Sequence, residues 1–292
     1  MIDRTKYQRI VWLASYPKSG NTWLRTFLDA YLLGKYDINN LVCSVSDDTS
    51  TRHAIGEGTD VRALPIDLQQ MTRPMALLRL VLAFNANTPA EELPLFVKTH
   101  NANLVANGVA LLPQQVTRAT IHIVRDPRDV CISFAKHMGC DVDRAIDYME
   151  DRYRCLKSDM ERLTVGDFLS SWRNHCNSFT TSDLVNHKTF RYEDMINDGV
   201  ETFCKMLTHA GIEPDRERVK KALEDVELSK LREKEEKEGF IEASPKNDGR
   251  FFGQGGSTWK EVLTPNQVRR IEKMAGPFMK RFGYETSIRR VA

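Results

Sequence analysis

Three short polar groups in this sequence each follow an apolar run, and their side chains are of types that bind anions or exchange protons. In chain order they are Lys18-Ser19-Gly20-Asn21-Thr22-Trp23, Lys98-Thr99-His100 and Arg125-Asp126-Pro127-Arg128-Asp129. Short apolar runs bounded by turn residues are typical of buried strands. Ligands of open α/β sheets bind beyond the carboxyl ends of the strands, so we expect all three groups at one edge of a sheet.

The first polar group is predicted to bind a phosphate. A strand over Ile10–Ala14 would end in a tight turn, and apolar residues at helical spacing follow as far as Gly34. The free N–H groups of the turn then point at one spot, beside the Lys18 ammonium and the positive end of the helix dipole. They belong to Ser19, Gly20, Asn21 and Thr22. An ordinary Pro-Gly turn with an exposed lysine is the alternative. A Walker A loop does not fit, because its lysine follows a glycine and precedes a Mg²⁺-binding hydroxyl.

The third polar group is predicted to hold a second phosphate. Thr120–Val124 has the pattern of a buried strand, and a helix is expected through Cys131–Lys136. Arg125 would leave the end of the strand while Ser133 faces back from the helix, so a guanidinium and a hydroxyl could share one phosphate. The alternative is a surface cluster of salt bridges in which Arg-Asp-Pro-Arg-Asp neutralises itself.

The segment Tyr16–Trp23 resembles the 5′-phosphosulfate loop of the cytosolic-type sulfotransferases, which typically reads Tyr-Pro-Lys-Ser-Gly-Thr-Thr-Trp. These enzymes bind 3′-phosphoadenosine-5′-phosphosulfate (PAPS). Asn21 is the one departure within the loop. Arg125 and Ser133 are similar to the family's 3′-phosphate motif, an arginine at a strand end and a serine in the next helix. Together the two motifs imply a site for each phosphate of a bisphosphorylated adenosine.

The second polar group carries the expected catalytic side chains. Lys98 and His100 share a strand face because they are two residues apart. In the resembling family this Lys-x-His contains the catalytic histidine, which implies that His100 is the general base. The resemblance also implies that Lys18 neutralises charge as adenosine 3′,5′-bisphosphate (PAP) leaves, and that Lys98 supports the equatorial sulfuryl oxygens. A structural hydrogen-bonding role for a lone histidine is the alternative. No metal is expected.

Aromatic and glycine-rich segments complete the predicted cofactor site. Trp23 could stack on adenine, and Tyr192 lies in Tyr-Glu-Asp-Met, which resembles a family segment that contacts adenine or ribose. Core packing is the alternative for both rings. Near Trp259 the family's Arg-Lys-Gly is displaced, so Arg250 or the amides of the glycines are expected to complete the 3′-phosphate site. The predicted cofactor contacts are Lys18, Ser19, Gly20, Asn21, Thr22, Trp23, Arg125, Ser133, Tyr192, Arg250, Gly253 and Gly255.

These motifs predict one sulfotransferase domain over residues 1–292, with an α/β, P-loop-like three-layer fold whose central, mostly parallel sheet is flanked by helices. The charged segment Glu224–Glu238 is expected to be a solvated helix that Gly239 ends. The predicted domain divides into three parts. They are a cofactor scaffold over about 8–34, 93–136 and 186–211, acceptor-pocket insertions over about 36–92 and 138–185, and a C-terminal cofactor loop over about 240–260.

Composition agrees with a small-molecule enzyme. The chain of 292 residues has a net charge of +2, which gives no ground for a nucleic-acid partner. Its six cysteines show no metal-ligand spacing and read as reduced thiols. The N-terminus has no apolar signal core, and Met75–Phe84 is too short to span a membrane, so a cytoplasmic setting is expected. The oligomeric state stays open, because only Lys260 and Thr264 fit the family's dimer segment.

The expected activity is transfer of a sulfuryl group from PAPS to a hydroxyl, or less readily an amine, of a small-molecule or glycoconjugate acceptor. A P-loop nucleotide kinase is one alternative, and it would need a Mg²⁺-binding hydroxyl after Gly-Lys and an acidic strand end. A catalytically inactive module that binds PAPS or PAP is the other. Such a module could dispense with Lys98 and His100, so their presence favours an enzyme.

Overall fold

The structure is a computed structural model, and it describes residues 7–41, 43–46, 81–82, 85, 93–106, 109–156, 167–181, 186–243, 250–253 and 256–287. The strands of this part of the chain are β1 (Ile10–Ser15), β2 (Ser44–Ser46), β3 (Leu95–Thr99), β4 (Val105–Ala106), β5 (Val109–Ala110), β6 (Thr117–Val124) and β7 (His187–Arg191). The helices are α1 (Asn21–Leu33), α2 (Pro127–Met138), α3 (Val142–Glu150), α4 (Trp172–Thr180), α5 (Tyr192–Asn197), α6 (Gly199–Ala210), α7 (Arg216–Asp225), α8 (Leu228–Glu238), α9 (Trp259–Val262) and α10 (Pro265–Arg281).

A five-stranded parallel sheet in the order β2-β3-β1-β6-β7 forms the centre of the molecule. Strand β1 lies between β3 and β6, with Ala14 opposite Thr99 on one side and His122 on the other. All six residues of β1 are buried, as expected for a strand of a parallel sheet with helices on both faces. This arrangement puts the ends of β1, β3 and β6 side by side.

Alternate side chains of β1 enter different parts of the core because successive strand residues point to opposite faces. Val11 and Leu13 pack with α1, α6 and α7 in one cluster. Ile10, Trp12 and Ala14 pack on the other face, against residues that include Phe179 of α4. A third cluster joins α2, α3, α4 and α10. The predicted α/β fold, with a central parallel sheet between layers of helices, is confirmed.

The helices that follow β1 and β6 begin and end at residues with clear local reasons. Gly34 adopts a left-handed conformation at the end of α1, with φ 69°, as its predicted role as a helix stop requires. At the start of α2 the Asp126 side chain accepts a hydrogen bond from the N–H of Arg128, and Pro127 occupies the first turn. Helix α2 therefore starts directly after Asp126, and α1 starts at Asn21, beyond the turn that follows β1.

The charged segment over 224–238 differs from its prediction. It contains the end of α7 and all of α8, and Gly239 does end α8. Leu231 and Glu235 are buried, so one side of α8 is not solvated. Glu235 accepts hydrogen bonds from the backbone N–H groups of Phe251 and Phe252. The sequence pattern could not predict this burial, because a glutamate that pairs with backbone N–H groups in the core is the same residue type as an exposed glutamate.

All six cysteines are unpaired, in agreement with the prediction of reduced thiols. A search of the helices over the described ranges finds none with the length and apolar character that a membrane span requires.

Candidate functional site

The turn between β1 and α1 is held in a conformation suited to anion binding. Lys18 has φ 69° and Gly20 has φ 103°, both in the left-handed region. A Cβ on Gly20 would lie 2.5 Å from Cδ2 of Tyr192, so only glycine fits there. Because α1 starts at Asn21, its unpaired N–H groups and the positive end of its dipole face the concave side of the turn.

Asn21, the departure from the family's loop, has its side chain directed into the protein. Its amide nitrogen donates to the backbone oxygen of Leu13 at 2.8 Å and lies 3.3 Å from the hydroxyl of Ser15. The asparagine therefore ties the first residue of α1 to the end of β1. The group that Asn21 offers to a bound anion is its backbone N–H.

Lys18 lies beneath an aromatic ring from the C-terminal segment. Its ammonium nitrogen is 3.4 Å from the centre of the Phe251 ring. Burial lowers the pKa of Lys18 to about 7, and the Glu242 carboxylate opposes that shift. A cation so placed gains far more from a neighbouring anion than one in water does.

His100 follows β3 and has one ring nitrogen fixed by the backbone. Its Nδ1 lies 2.7 Å from the carbonyl oxygen of Ser15. A carbonyl can only accept, so Nδ1 carries the proton and Nε2 has a free lone pair. Burial, with the Lys98 charge adding to it, lowers the pKa of His100 to about 3. The imidazole is therefore neutral at physiological pH and able to accept a proton.

Arg125 contacts the same loop from the end of β6. Its guanidinium donates to the backbone oxygen of Lys18 at 3.2 Å and lies 4.5 Å from the centre of the Tyr192 ring. Ser133 is half-buried in α2. The structure thus brings the strand ends that carry Lys18, His100 and Arg125 together at one edge of the sheet.

The rest of the Arg-Asp-Pro-Arg-Asp group has a structural role that sequence reasoning treated as an alternative. Arg128 pairs with Asp126 at 2.6 Å and with Glu272 of α10 at 2.9 Å. All three side chains are buried, so the cluster is not on the surface. Arg125 takes no part in these pairs. Within the group, Arg128 and Asp126 therefore neutralise each other.

Comparison with known proteins identifies the family. The model of the sulfotransferase domain family matches residues 8–283. This chain belongs to the sulfotransferase domain family. A search of curated proteins returned no significant match.

Solved structures agree with this assignment at the level of the fold. A retinol dehydratase in complex with retinol and PAP has a TM-score of 0.60 and 17% identity, over 97% of this chain and 83% of its own. A retinol dehydratase with androsterone and PAP has a TM-score of 0.56 and 16% identity, over 100% of this chain and 84% of its own. A mouse sulfotransferase complexed with PAP has a TM-score of 0.56 and 18% identity, over 94% of this chain and 85% of its own. These similarities establish that the fold of this sulfotransferase is shared with enzymes crystallised with PAP.

The two predicted adenine contacts of this sulfotransferase lie in its core cluster. Trp23 donates from Nε1 to the backbone oxygen of Val226 at 3.0 Å, and its ring meets Tyr192 edge-on at 6.0 Å. Trp23 is 8% exposed and Tyr192 7%. Both rings are therefore buried in the core, and their contact with adenine stays a prediction.

The C-terminal loop is only partly described. Arg250 is 72% exposed and lies 3.5 Å from the Glu236 carboxylate on α8. Gly253 is exposed, and Gly255 lies outside the described residues. The loop is anchored farther along by Asp129, which accepts hydrogen bonds from Ser257 and from the N–H groups of Thr258 and Trp259. The contact of Arg250 and of the loop glycines with a 3′-phosphate therefore stays a prediction.

Sequence reasoning missed Glu242 and Arg25. Glu242 accepts a hydrogen bond from the Thr22 hydroxyl at 3.1 Å, and Arg25 and Lys98 lie 2.8 and 3.4 Å from the same carboxylate. Burial opposes ionisation of Glu242, but the charges of Lys98 and Arg25 hold its pKa well below the usual range. The helical spacing of Arg25 three residues after Thr22 was the one signal available, because it places both on one face of α1.

A separate cluster of possible metal ligands lies within the protein. Among the described residues, His122, His175 and Cys176 are buried with their ligand atoms within 4.8 Å of one another. The group contains no carboxylate, and burial lowers the pKa of His175 to about 3. The expectation that this sulfotransferase needs no metal stays a prediction.

Proposed function

We propose that this sulfotransferase transfers the sulfuryl group of PAPS to an acceptor hydroxyl by in-line displacement, with His100 as the general base. The observation that carries the proposal is the hydrogen bond between His100 Nδ1 and Ser15 at the foot of the Lys18 loop. It leaves Nε2 as a base beside a loop suited to a phosphosulfate group.

The proposed cofactor site divides between the ends of β1 and β6. The backbone N–H groups of the Lys18 loop would bind the 5′-phosphosulfate, while Arg125 and Ser133 would bind the 3′-phosphate. Solved enzymes of the same fold were crystallised with PAP, which supports an adenosine bisphosphate as the ligand. Arg250, Gly253 and Gly255 remain candidates for closing the 3′-phosphate site, and Trp23 and Tyr192 for contacts to adenosine.

Each catalytic side chain has a distinct proposed task. His100 takes the proton of the acceptor hydroxyl at Nε2 as the oxygen attacks sulfur, and its neutral state suits that role. Lys18 neutralises the charge that develops on the leaving PAP, and Lys98 supports the sulfuryl oxygens. A polyanionic cofactor raises the pKa of Lys18 again, so the lysine is charged when the reaction occurs. Ammonium groups and loop amides supply this stabilisation without a metal ion.

A small-molecule alcohol is the acceptor class we propose. The structural neighbours include an enzyme crystallised with retinol and with androsterone, and both of these molecules carry a hydroxyl. A glycoconjugate hydroxyl or an amine would meet the same base. The acceptor is expected to contact residues of the 36–92 and 138–185 segments, much of the first of which lies outside the described residues.

A direct test combines an acceptor screen with a base variant. Pools of alcohols, phenols, sugars and amines are incubated with isotopically labelled PAPS, and labelled products are separated and identified. His100→Ala should lose about 10²–10⁴-fold in turnover, the usual contribution of a general base, while PAP affinity measured by calorimetry stays within about twofold. Turnover of His100→Ala within tenfold of the parent enzyme would assign the base elsewhere.

A further inference from the structure

A carboxylate of the protein occupies a set of donors at the phosphate loop. One oxygen of Glu242 lies 2.8 Å from Arg25 and 3.4 Å from Lys98, and the other accepts the Thr22 hydrogen bond at 3.1 Å. Two cations and a hydroxyl thus converge on one two-oxygen anion. This is the donor chemistry that binds a sulfate or phosphate oxyanion.

The three donor side chains lie on a helix and a strand of the central fold, whereas Glu242 lies in a loop. Thr22 and Arg25 lie on one face of α1, and Lys98 lies in β3. The Arg25 side chain is 9% exposed, and its Nε donates to the Ser44 hydroxyl at 3.0 Å, which aims its outer nitrogen at the site. Glu242 comes from the loop after α8, 217 residues beyond Arg25. The three donors therefore lie on elements that do not include Glu242, and Ser44 positions Arg25 independently of it.

The same C-terminal segment covers the other cation of the loop. Phe251 lies over the Lys18 ammonium at 3.4 Å, and its ring packs on Phe240 at 4.7 Å between centres. An aromatic face and a carboxylate both stabilise a buried cation. Side chains of this segment thus rest on both lysines that the proposed function assigns to the phosphosulfate.

We propose that Glu242 is an internal stand-in for an oxyanion of the cofactor. Thr22, Arg25 and Lys98 then form an oxyanion subsite for the 5′-phosphosulfate, in which Arg25 is an additional cofactor-binding residue. The cofactor displaces Glu242 when it binds, because one carboxylate and a phosphosulfate oxygen pair cannot occupy the same donors. This inference rests on the proposed function, since it requires an anionic cofactor at the Lys18 loop.

The competing explanation is a permanent tether. If Glu242 stayed on Arg25 with the cofactor bound, it would hold the C-terminal segment over the site and contribute to affinity. The two explanations predict opposite effects of removing the charge. A stand-in anion competes with the cofactor, so its removal tightens binding. A tether assists the cofactor, so its removal weakens binding.

The test compares Glu242→Gln with the parent enzyme by calorimetry, using PAP and adenosine 3′-phosphate. Glu242→Gln should bind PAP about tenfold more tightly, because the cofactor no longer displaces a charge-assisted carboxylate. Adenosine 3′-phosphate lacks the 5′ group and should change by less than about twofold. The matched control is Glu238→Gln, which removes the same charge from an exposed position on α8. It should leave both affinities unchanged.

Equal tightening of both ligands by Glu242→Gln would overturn the proposal, because it would indicate a general electrostatic effect. Weaker PAP binding would overturn it in favour of a tether, and unchanged PAP binding would overturn both explanations. A parent enzyme that binds no PAP would instead overturn the proposed function, so the two failures are distinguishable.

The role of Arg25 is measured in the Glu242→Gln background, where no carboxylate is left unpaired. Adding Arg25→Met should weaken PAP binding about tenfold relative to the single variant, with adenosine 3′-phosphate unaffected. Thermal melting establishes that the double variant folds. Equal loss for both ligands would show that Arg25 acts through the structure of α1 rather than as a cofactor contact. If the double variant does not fold, the outcome of Glu242→Gln decides the proposal alone.

Discussion

Lys18 has an environment that links protonation to ligand binding. Its pKa of about 7 means that a large part of the ammonium groups loses its proton above neutral pH in the ligand-free enzyme. A bound bisphosphate favours the charged form and raises this pKa. Binding above pH 7 must therefore take up a proton, and affinity for PAP must fall as the pH rises.

The proton uptake is measurable by calorimetry of PAP binding at about pH 8 in two buffers of different ionisation enthalpy. The parent enzyme should take up close to one proton, because the phosphates are already ionised at that pH. Lys18→Arg should show almost none, since a guanidinium remains charged in both states. Identical heats for the parent in both buffers would show that Lys18 is already charged in the free enzyme.

His100 shows how the neighbouring backbone selects a chemical role. The side chain alone could donate or accept at either nitrogen. The Ser15 carbonyl fixes the proton on Nδ1, and burial keeps the ring neutral. Loss of activity at acid pH through this histidine is expected only as the pH approaches about 3.

At the scale of the elements, the turn between β1 and α1 has the strictest requirements. Gly20 has φ 103° and lies against Tyr192, which itself stacks under Arg125. The loop proposed to bind the 5′ group and the arginine proposed to bind the 3′ group therefore both contact one tyrosine. A change at Gly20 should disturb both halves of the proposed cofactor site.

The comparison of Gly20→Ala with Gly34→Ala tests this packing. Both glycines have positive φ, but a Cβ on Gly34 meets nothing within 4 Å whereas one on Gly20 meets the Tyr192 ring. Gly34→Ala should lose about 1–2 kcal/mol of unfolding free energy, the usual cost of a left-handed alanine. Gly20→Ala should lose more and also bind PAP at least tenfold more weakly. Chemical denaturation measures the unfolding free energy, and calorimetry measures PAP affinity. Equal losses in the two variants would contradict the packing argument.

The C-terminal elements depend on buried acidic groups that are far away in sequence. Glu235 of α8 binds the backbone of Phe251 and Phe252, and Asp129 of α2 binds that of Thr258 and Trp259. These contacts hold both ends of the described C-terminal loop against the scaffold. They explain why acidic residues in the sequence are not a simple guide to solvated surface.

For the whole molecule, the central prediction is a preference among nucleotides. A site that is proposed to hold two phosphates, at the ends of β1 and β6, should bind PAP better than ATP with Mg²⁺. At a concentration one hundred times its dissociation constant, a ligand stabilises the native state by about 2.7 kcal/mol. PAP should therefore raise the melting temperature more than ATP with Mg²⁺ at the same concentration.

Thermal melting at several ligand concentrations measures this preference. Adenosine 5′-phosphate is a useful control, because it lacks the 3′ group that Arg125 is proposed to hold. A larger shift with ATP and Mg²⁺ than with PAP would favour a nucleotide kinase over the proposed function.

Local spacing in the sequence is enough to predict several parts of this protein. The apolar run before Lys18, the turn through Gly20 and the helix that stops at Gly34 all follow from periods and backbone preferences within a few residues. The same reasoning located Lys98, His100 and Arg125 at strand ends, and the parallel sheet brings those ends together. The family could be predicted because each motif is a short segment that directly follows an apolar run in the sequence.

The pairing of charges that are distant in sequence depends on how the elements pack together. Glu242 reaches Arg25 and Lys98, Phe251 covers Lys18, and Glu272 of α10 joins Arg128. A sequence pattern reports which residues share a face of one element, but not which element packs against that face. The energy of a buried charge depends on partners brought together by the fold, so its role cannot be read from the residues around it in the chain.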